Sequence, residues 1–64
     1  KVGDFAHISS GTVLNGGAQV GDYSHIGAGT IVKKKVVIGS YAMIGPGSIV
    51  QNNIADGRVA SGRL

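Results

Sequence analysis

The sequence has no cysteine, so no disulfide framework staples the fold and cysteine-based zinc sites are excluded. The same absence predicts a reducing compartment, and we expect the protein to be cytoplasmic. Proline occurs once. No apolar run approaches a membrane span, and no charged-then-apolar leader opens the chain. Acidic side chains are scarce: three Asp and Glu stand against six Lys and Arg, a net charge of +3. That balance suits an anionic ligand but does not argue for nucleic acid. The 64 residues leave room for one small domain, a size that buries little apolar surface on its own. The chain opens on Lys1 rather than Met, so we expect a processed product or an excised piece.

What the sequence has in abundance is glycine, twelve in 64 residues, interleaved with too many aliphatics for a disordered composition. The spacing is regular. Val2, Ile8, Leu14, Val20, Ile26, Val32, Ile38, Ile44 and Val50 lie six apart, and only the tenth position, Asp56, breaks the series. Four residues after each comes a small or short β-branched residue: Ala6, Thr12, Ala18, Ser24, Thr30, Val36, Ala42, Ser48 and Ala60, with Ile54 as the exception. Read this way, no gap is needed to keep register.

A longer period contains the shorter one. Val-Gly-Asp-Phe-Ala-His-Ile starts at Val2, Val-Gly-Asp-Tyr-Ser-His-Ile at Val20, and Ile-Gly-Ser-Tyr-Ala-Met-Ile at Ile38. The only aromatics, Phe5, Tyr23 and Tyr41, keep the same interval of eighteen, as do Gly11, Gly29 and Gly47. Six nested in eighteen means three short strands per triangular coil. The fold is predicted to be all-β, a single-stranded parallel β-helix of about three and a half coils, roughly 17 Å tall. Each strand would pair in parallel with its counterpart one coil away. The aliphatics and the small residues point inward, and pairs of residues between them turn the corners. Gly11, Gly17, Gly29 and Gly47 fall at corners, where positive φ is cheap for glycine. Ile8, Ile26 and Ile44 should form one vertical inner column.

These rows resemble the hexapeptide-repeat acyltransferases. The resemblance implies a left-handed coil, against the usual right-handed crossover rule. Within that family the segments Val2–Gly11, Val20–Thr30 and Val37–Val50 are most similar to the branch that acetylates sialic acid or amino sugars of nucleotide-linked glycans. Members of this type are homotrimers with active sites in the clefts between adjacent helices. Their general base is a His in the coil just before the Gly-Asp-Phe-Ala-His segment, a point that precedes Lys1. A family proline is replaced by Ala55, a corner glycine by Lys35, and the closing Gly-x-Pro-Ala segment by Ser61-Gly62-Arg63-Leu64. We therefore expect residues 1–64 to be one β-helix domain, an internal or C-terminal fragment of a longer acyltransferase.

The resemblance implies that His7 lies near the acyl-CoA thioester and hydrogen-bonds the acyl carbonyl or substrate, without being the base. A His can donate to a developing oxyanion; the plainer alternative is a surface His after a strand. Gly16, Ala28 and Pro46 match family positions that line the acetyl-CoA groove, or are merely corner residues. His25 should stack on His7. Two imidazoles fall short of the three protein ligands of a catalytic zinc, so no metal is assigned. Lys33-Lys34-Lys35 occupies a corner where it meets CoA or nucleotide-sugar phosphates, or is simply solvated. Asp4 and Asp22 stack at another corner, a local cost between like charges.

The leading expectation is a fragment of an acetyltransferase that moves an acetyl group from acetyl-CoA to a hydroxyl or amine of a sugar or nucleotide-sugar. It needs neither a nucleic acid nor a membrane. Two rivals stand beside it: a γ-carbonic-anhydrase-like zinc enzyme, which requires a third His, and a non-catalytic scaffold or trimerisation module.

Overall fold

The computed structural model describes all 64 residues, Lys1–Leu64. It is all-β, with nine strands of two residues each: β1 His7–Ile8, β2 Val13–Leu14, β3 Gln19–Val20, β4 His25–Ile26, β5 Ile31–Val32, β6 Val37–Ile38, β7 Met43–Ile44, β8 Ile49–Val50 and β9 Val59–Ala60. They form three parallel sheets, ordered β3-β6, β1-β4-β7-β9 and β2-β5-β8, which we name faces 1, 2 and 3. The chain winds through them as a β-solenoid of about three turns. Corner I (residues 3–5, 21–23, 39–41 and 55–57) joins face 1 to face 2. Corner II (9–11, 27–29 and 45–47) joins face 2 to face 3. Corner III (15–17, 33–35 and 51–53) leads back to face 1. No helix is long and apolar enough to cross a membrane.

The eighteen-residue register holds through the first coils. His7 pairs with His25 and Ile8 with Ile26; His25 then pairs with Met43 and Ile26 with Ile44. The expected inner column of Ile8, Ile26 and Ile44 therefore exists, and Ile26 and Ile44 are fully enclosed. Val20 and Ile38 build the second column, Leu14, Val32 and Val50 the third. Small residues fill the narrow angles between columns. Where these are polar, the hydroxyl is satisfied across a coil: Ser24 Oγ donates to Gly39 O at 2.6 Å and accepts from Ala42 N at 3.1 Å. No buried side-chain polar atom lacks a partner, as a dry interior demands.

The last coil departs from the expected unbroken register. Ile38 pairs with Ile54 and Met43 with Val59, sixteen residues on, and Ile49 with Arg63, only fourteen on. Two residues are dropped at corner III and two more at corner II. The two exceptions in the repeat explain each other. Ile54 takes the inward aliphatic position, 3% exposed. Asp56 moves out to corner I, where its Oδ1 accepts from Ser40 N at 2.9 Å. Burying a lone carboxylate costs far more than shortening a turn. Asp22 does the same two coils up, accepting from Asp4 N at 2.7 Å. Asp22 and Asp56 are thus caps for the corner above each of them.

Gly11, Gly17, Gly29 and Gly47 all have φ between 71° and 76°, as expected of corners. Lys35 holds the position of Gly17 with φ 63°, and Phe5, Tyr23 and Tyr41 hold theirs on corner I with φ 57–60°. Left-handed backbone costs an L-residue about 1–2 kcal/mol. The rings offset part of that cost by stacking, with centroids 5.2 Å apart in both pairs.

The shortened coil makes a paired prediction. Ile54→Ala should lose about 2–5 kcal/mol of stability. Asp56→Ile, which restores the aliphatic to the six-residue series, should bring no gain, because position 56 faces solvent. Urea unfolding followed by far-UV circular dichroism measures both; a stabilised Asp56→Ile variant would contradict the register.

Candidate functional site

Face 2 presents the chemistry. Strand alternation turns Ile8, Ile26 and Ile44 inward and leaves His7, His25 and Met43 outward in one ladder. The imidazoles of His7 and His25 lie parallel, with centroids 4.7 Å apart and planes 2° from each other. The stacking expected from their spacing is thus present. The ladder continues through Met43 and Val59, both exposed, rather than through a third His. No group of three or more His, Cys, Asp or Glu side chains is placed to hold a metal ion.

Below His25 the ladder borders a groove of about 430 Å³ lined by Met43, Val59, Gly45, Pro46 and Ser61. The contraction at corner II shapes it, because Ser61 lies against Gly45 and the last coil skips the places opposite Pro46 and Gly47. Ala28 sits on the same corner one coil above Pro46, and its carbonyl accepts from Gly47 N at 2.8 Å. Coils approach closely here: a Cβ on Gly27 would stand 2.4 Å from Pro46 N. The edge of corner II therefore offers backbone, a methyl group and a pyrrolidine ring, a smooth rail with little to obstruct a thin ligand.

Gly16 lies elsewhere. It is on corner III, beside an open hollow of about 490 Å³ bounded by Asn15, Lys33 and Lys34. Its carbonyl accepts from Lys35 N at 3.0 Å. A Cβ at Gly16 would meet nothing within 4 Å, so packing inside the chain does not require glycine there. Within one chain, then, His7, Ala28 and Pro46 share face 2 and its trailing corner, while Gly16 stands apart from them. Met43 and Val59 were not among the expected site residues. Met43 could have been found, since it is the eighteenth residue after His25; Val59 could not, because the coil shortens before it.

Residues 1–34 and 17–52 match the family model for the bacterial transferase hexapeptide (six repeats). Among solved structures, the acetyltransferase domain of PglB from Neisseria gonorrhoeae matches with a TM-score of 0.94 and 33% identity over 95% of this chain. The same domain in complex with acetyl coenzyme A matches equally well, with a TM-score of 0.94 and 33% identity. The likeness is consistent with a left-handed coil. The chain spans 30% of the length of that solved chain. No curated protein matches it.

The two glycines should respond oppositely to alanine. Gly27→Ala forces corner II open against Pro46 and should cost about 1–3 kcal/mol. Gly16→Ala should change stability by less than about 0.5 kcal/mol. Thermal melts of the two variants side by side test whether Gly16 is free of structural duty.

Proposed function

The chain belongs to the bacterial transferase hexapeptide family, and on that footing we propose that it is part of an acetyl-CoA-dependent acetyltransferase acting on a hydroxyl or amine of a sugar or nucleotide-sugar. The observation that carries the reading is the bare rail of Ala28 and Pro46 running beside the His ladder. It is supported by the likeness to an acetyltransferase domain solved with acetyl coenzyme A.

In this reading corner II binds the pantetheine arm against Ala28 and Pro46, where only small groups stand. Acetyl-CoA supplies an acyl carbon already activated by its thioester. His7, exposed at the head of the ladder, donates a hydrogen bond to the acyl oxygen as negative charge develops there. A fixed donor of this kind lowers the barrier because it is already oriented when the charge appears. A His base outside these 64 residues takes the acceptor's proton. The new bond joins the acceptor oxygen or nitrogen to the acyl carbon, the carbon–sulfur bond breaks, and the thiolate leaves with that proton. Because Gly16 lies on a separate corner, the complete cleft needs a second subunit, and a homotrimer supplies one. A γ-carbonic-anhydrase-like reading would need a third His beside His7 and His25, where this chain carries Met43.

Calorimetric titration of acetyl-CoA into the trimeric protein tests the proposal. Saturable binding is expected, with Ala28→Trp raising Kd more than about tenfold by obstructing the rail of corner II while the circular dichroism stays unchanged. In the longer enzyme His7→Ala should keep binding and lower kcat by about 10²–10³. A trimer that takes up no acetyl-CoA would leave the scaffold reading in its place.

A further inference from the structure

Asn15 and Gly16 stand side by side on corner III, both exposed to solvent. An asparagine followed by glycine carries an intrinsic reaction that needs no enzyme, in which the glycine nitrogen attacks the side-chain amide carbon. That nitrogen must be free of hydrogen bonds, the residue bearing it unhindered, and the turn able to swing. Corner III meets all three conditions. The Gly16 N–H donates to no group of the chain, although its carbonyl accepts from Lys35 N at 3.0 Å. A Cβ at Gly16 would meet nothing within 4 Å, so the space around it is open. Gly16 and Gly17 are also the only adjacent glycines, the most freely rotating pair in the chain. Lys33 and Lys34 bound the same hollow, and nearby positive charge favours loss of the Gly16 amide proton.

No other Asn or Asp combines these features. Asn53 precedes Ile54, a buried β-branched residue whose N–H donates to Val37 O at 2.9 Å. Asn52 precedes Asn53, whose side chain is itself held, Oδ1 accepting from Val37 N at 2.9 Å. Asp4 and Asp22 precede Phe5 and Tyr23, which hinder attack. Asp56 does precede a glycine, but Gly57 N donates to Ser40 O at 2.8 Å and Asp56 Oδ1 accepts from Ser40 N.

We propose that Asn15 is a modification site, where the folded chain deamidates itself to aspartate and isoaspartate. The Gly16 nitrogen bonds to Asn15 Cγ and closes a five-membered imide. The Cγ–Nδ2 bond breaks, and the amide group leaves as ammonia with the proton from Gly16 N. Water then opens the imide at either carbonyl, giving aspartate or the isoaspartyl link, with no change of oxidation state. One contact restrains the reaction: Asn15 Nδ2 donates to Val32 O at 2.9 Å. Ring closure therefore waits for local opening of corner III. The product cannot remake that contact, because a carboxylate sets acceptor against acceptor. It also lowers the net charge of +3 by one, beside the lysines. The isoaspartyl link adds one backbone atom to the corner, between the Leu14–Val32 and Gln19–Val37 pairings that fix the register. The modification does not depend on the transferase reading.

Prolonged incubation of the full chain at mildly alkaline pH tests it, with circular dichroism confirming that the samples stay folded. Peptide mass spectrometry locates converted amides, and an isoaspartyl methyltransferase with labelled S-adenosylmethionine counts isoaspartate. Conversion is expected at Asn15, with Asn52 and Asn53 remaining amides and no isoaspartate at Asp56. Gly16→Ala should slow it at least about tenfold, by placing a methyl group beside the attacking nitrogen. Urea should speed it by releasing the corner, and the isoaspartyl form separated by ion exchange should melt below the parent chain. A folded chain whose Asn15 stays an amide would overturn the proposal. So would conversion at Asn52 or Asn53 as fast as at Asn15, or a Gly16→Ala variant that converts at the parent rate.

Discussion

Hydrogen bonds between successive coils carry this architecture. His7 N donates to Ser24 O, His25 N to Ala42 O and Met43 N to Arg58 O, each at 2.8 Å, and the same ladder recurs on the other two faces. With strands of two residues, no face is stable by itself. Each coil must land on the next in register, or inward aliphatics and outward polar residues change places. The columns of Ile26 and Ile44, Val20 and Ile38, and Val32 and Val50 exist because that landing succeeds three times per turn. The outward His ladder of face 2 is hung on the same bonds. His7 and His25 face each other at 4.7 Å only because Ile8 and Ile26 are locked beneath them.

Much of this was legible in the sequence, since an eighteen-residue period leaves few choices. Three faces, the inner columns, the glycine corners, the aromatic ladder and the His stack all follow from it. The contraction of the last coil did not, although it left two traces. Ile54 stood where a small residue belonged, and Asp56 where an aliphatic belonged. Taken singly each looked like a tolerated exception; taken together they mark a two-residue step, because a buried carboxylate is far costlier than a tighter turn. The left-handed backbone at Phe5, Tyr23 and Tyr41 was also hidden. Bulky residues are poor signals for positive φ, and only the counterpart Gly57 hints at what that corner demands.

The site was less legible than the fold for a related reason. Period assigns a residue to a face, but the expected site residues fall on corners that one chain keeps apart. Gly16 shares a corner with Lys33 and Lys34, whereas Ala28 and Pro46 share another with the groove below His25. Pooling them by family likeness alone hides that geometry. The absence of any packing need for glycine at position 16 comes into view only with coordinates. Small residues at a solenoid edge thus divide into two kinds. Gly27 is small for the coil beneath it, whereas nothing within the chain requires Gly16 to be.

The narrowed last coil bears on how such a solenoid can lengthen. Its perimeter is four residues shorter at the Ile49–Arg63 pairing than the coils above. Duplicating an eighteen-residue unit between the upper coils would insert a storey that fits its neighbours above and below. The same unit set beneath the narrowed coil would find corners displaced from its own and inner columns out of plumb. Growth by repeat duplication is therefore open between the upper coils and closed directly beneath the narrowed one.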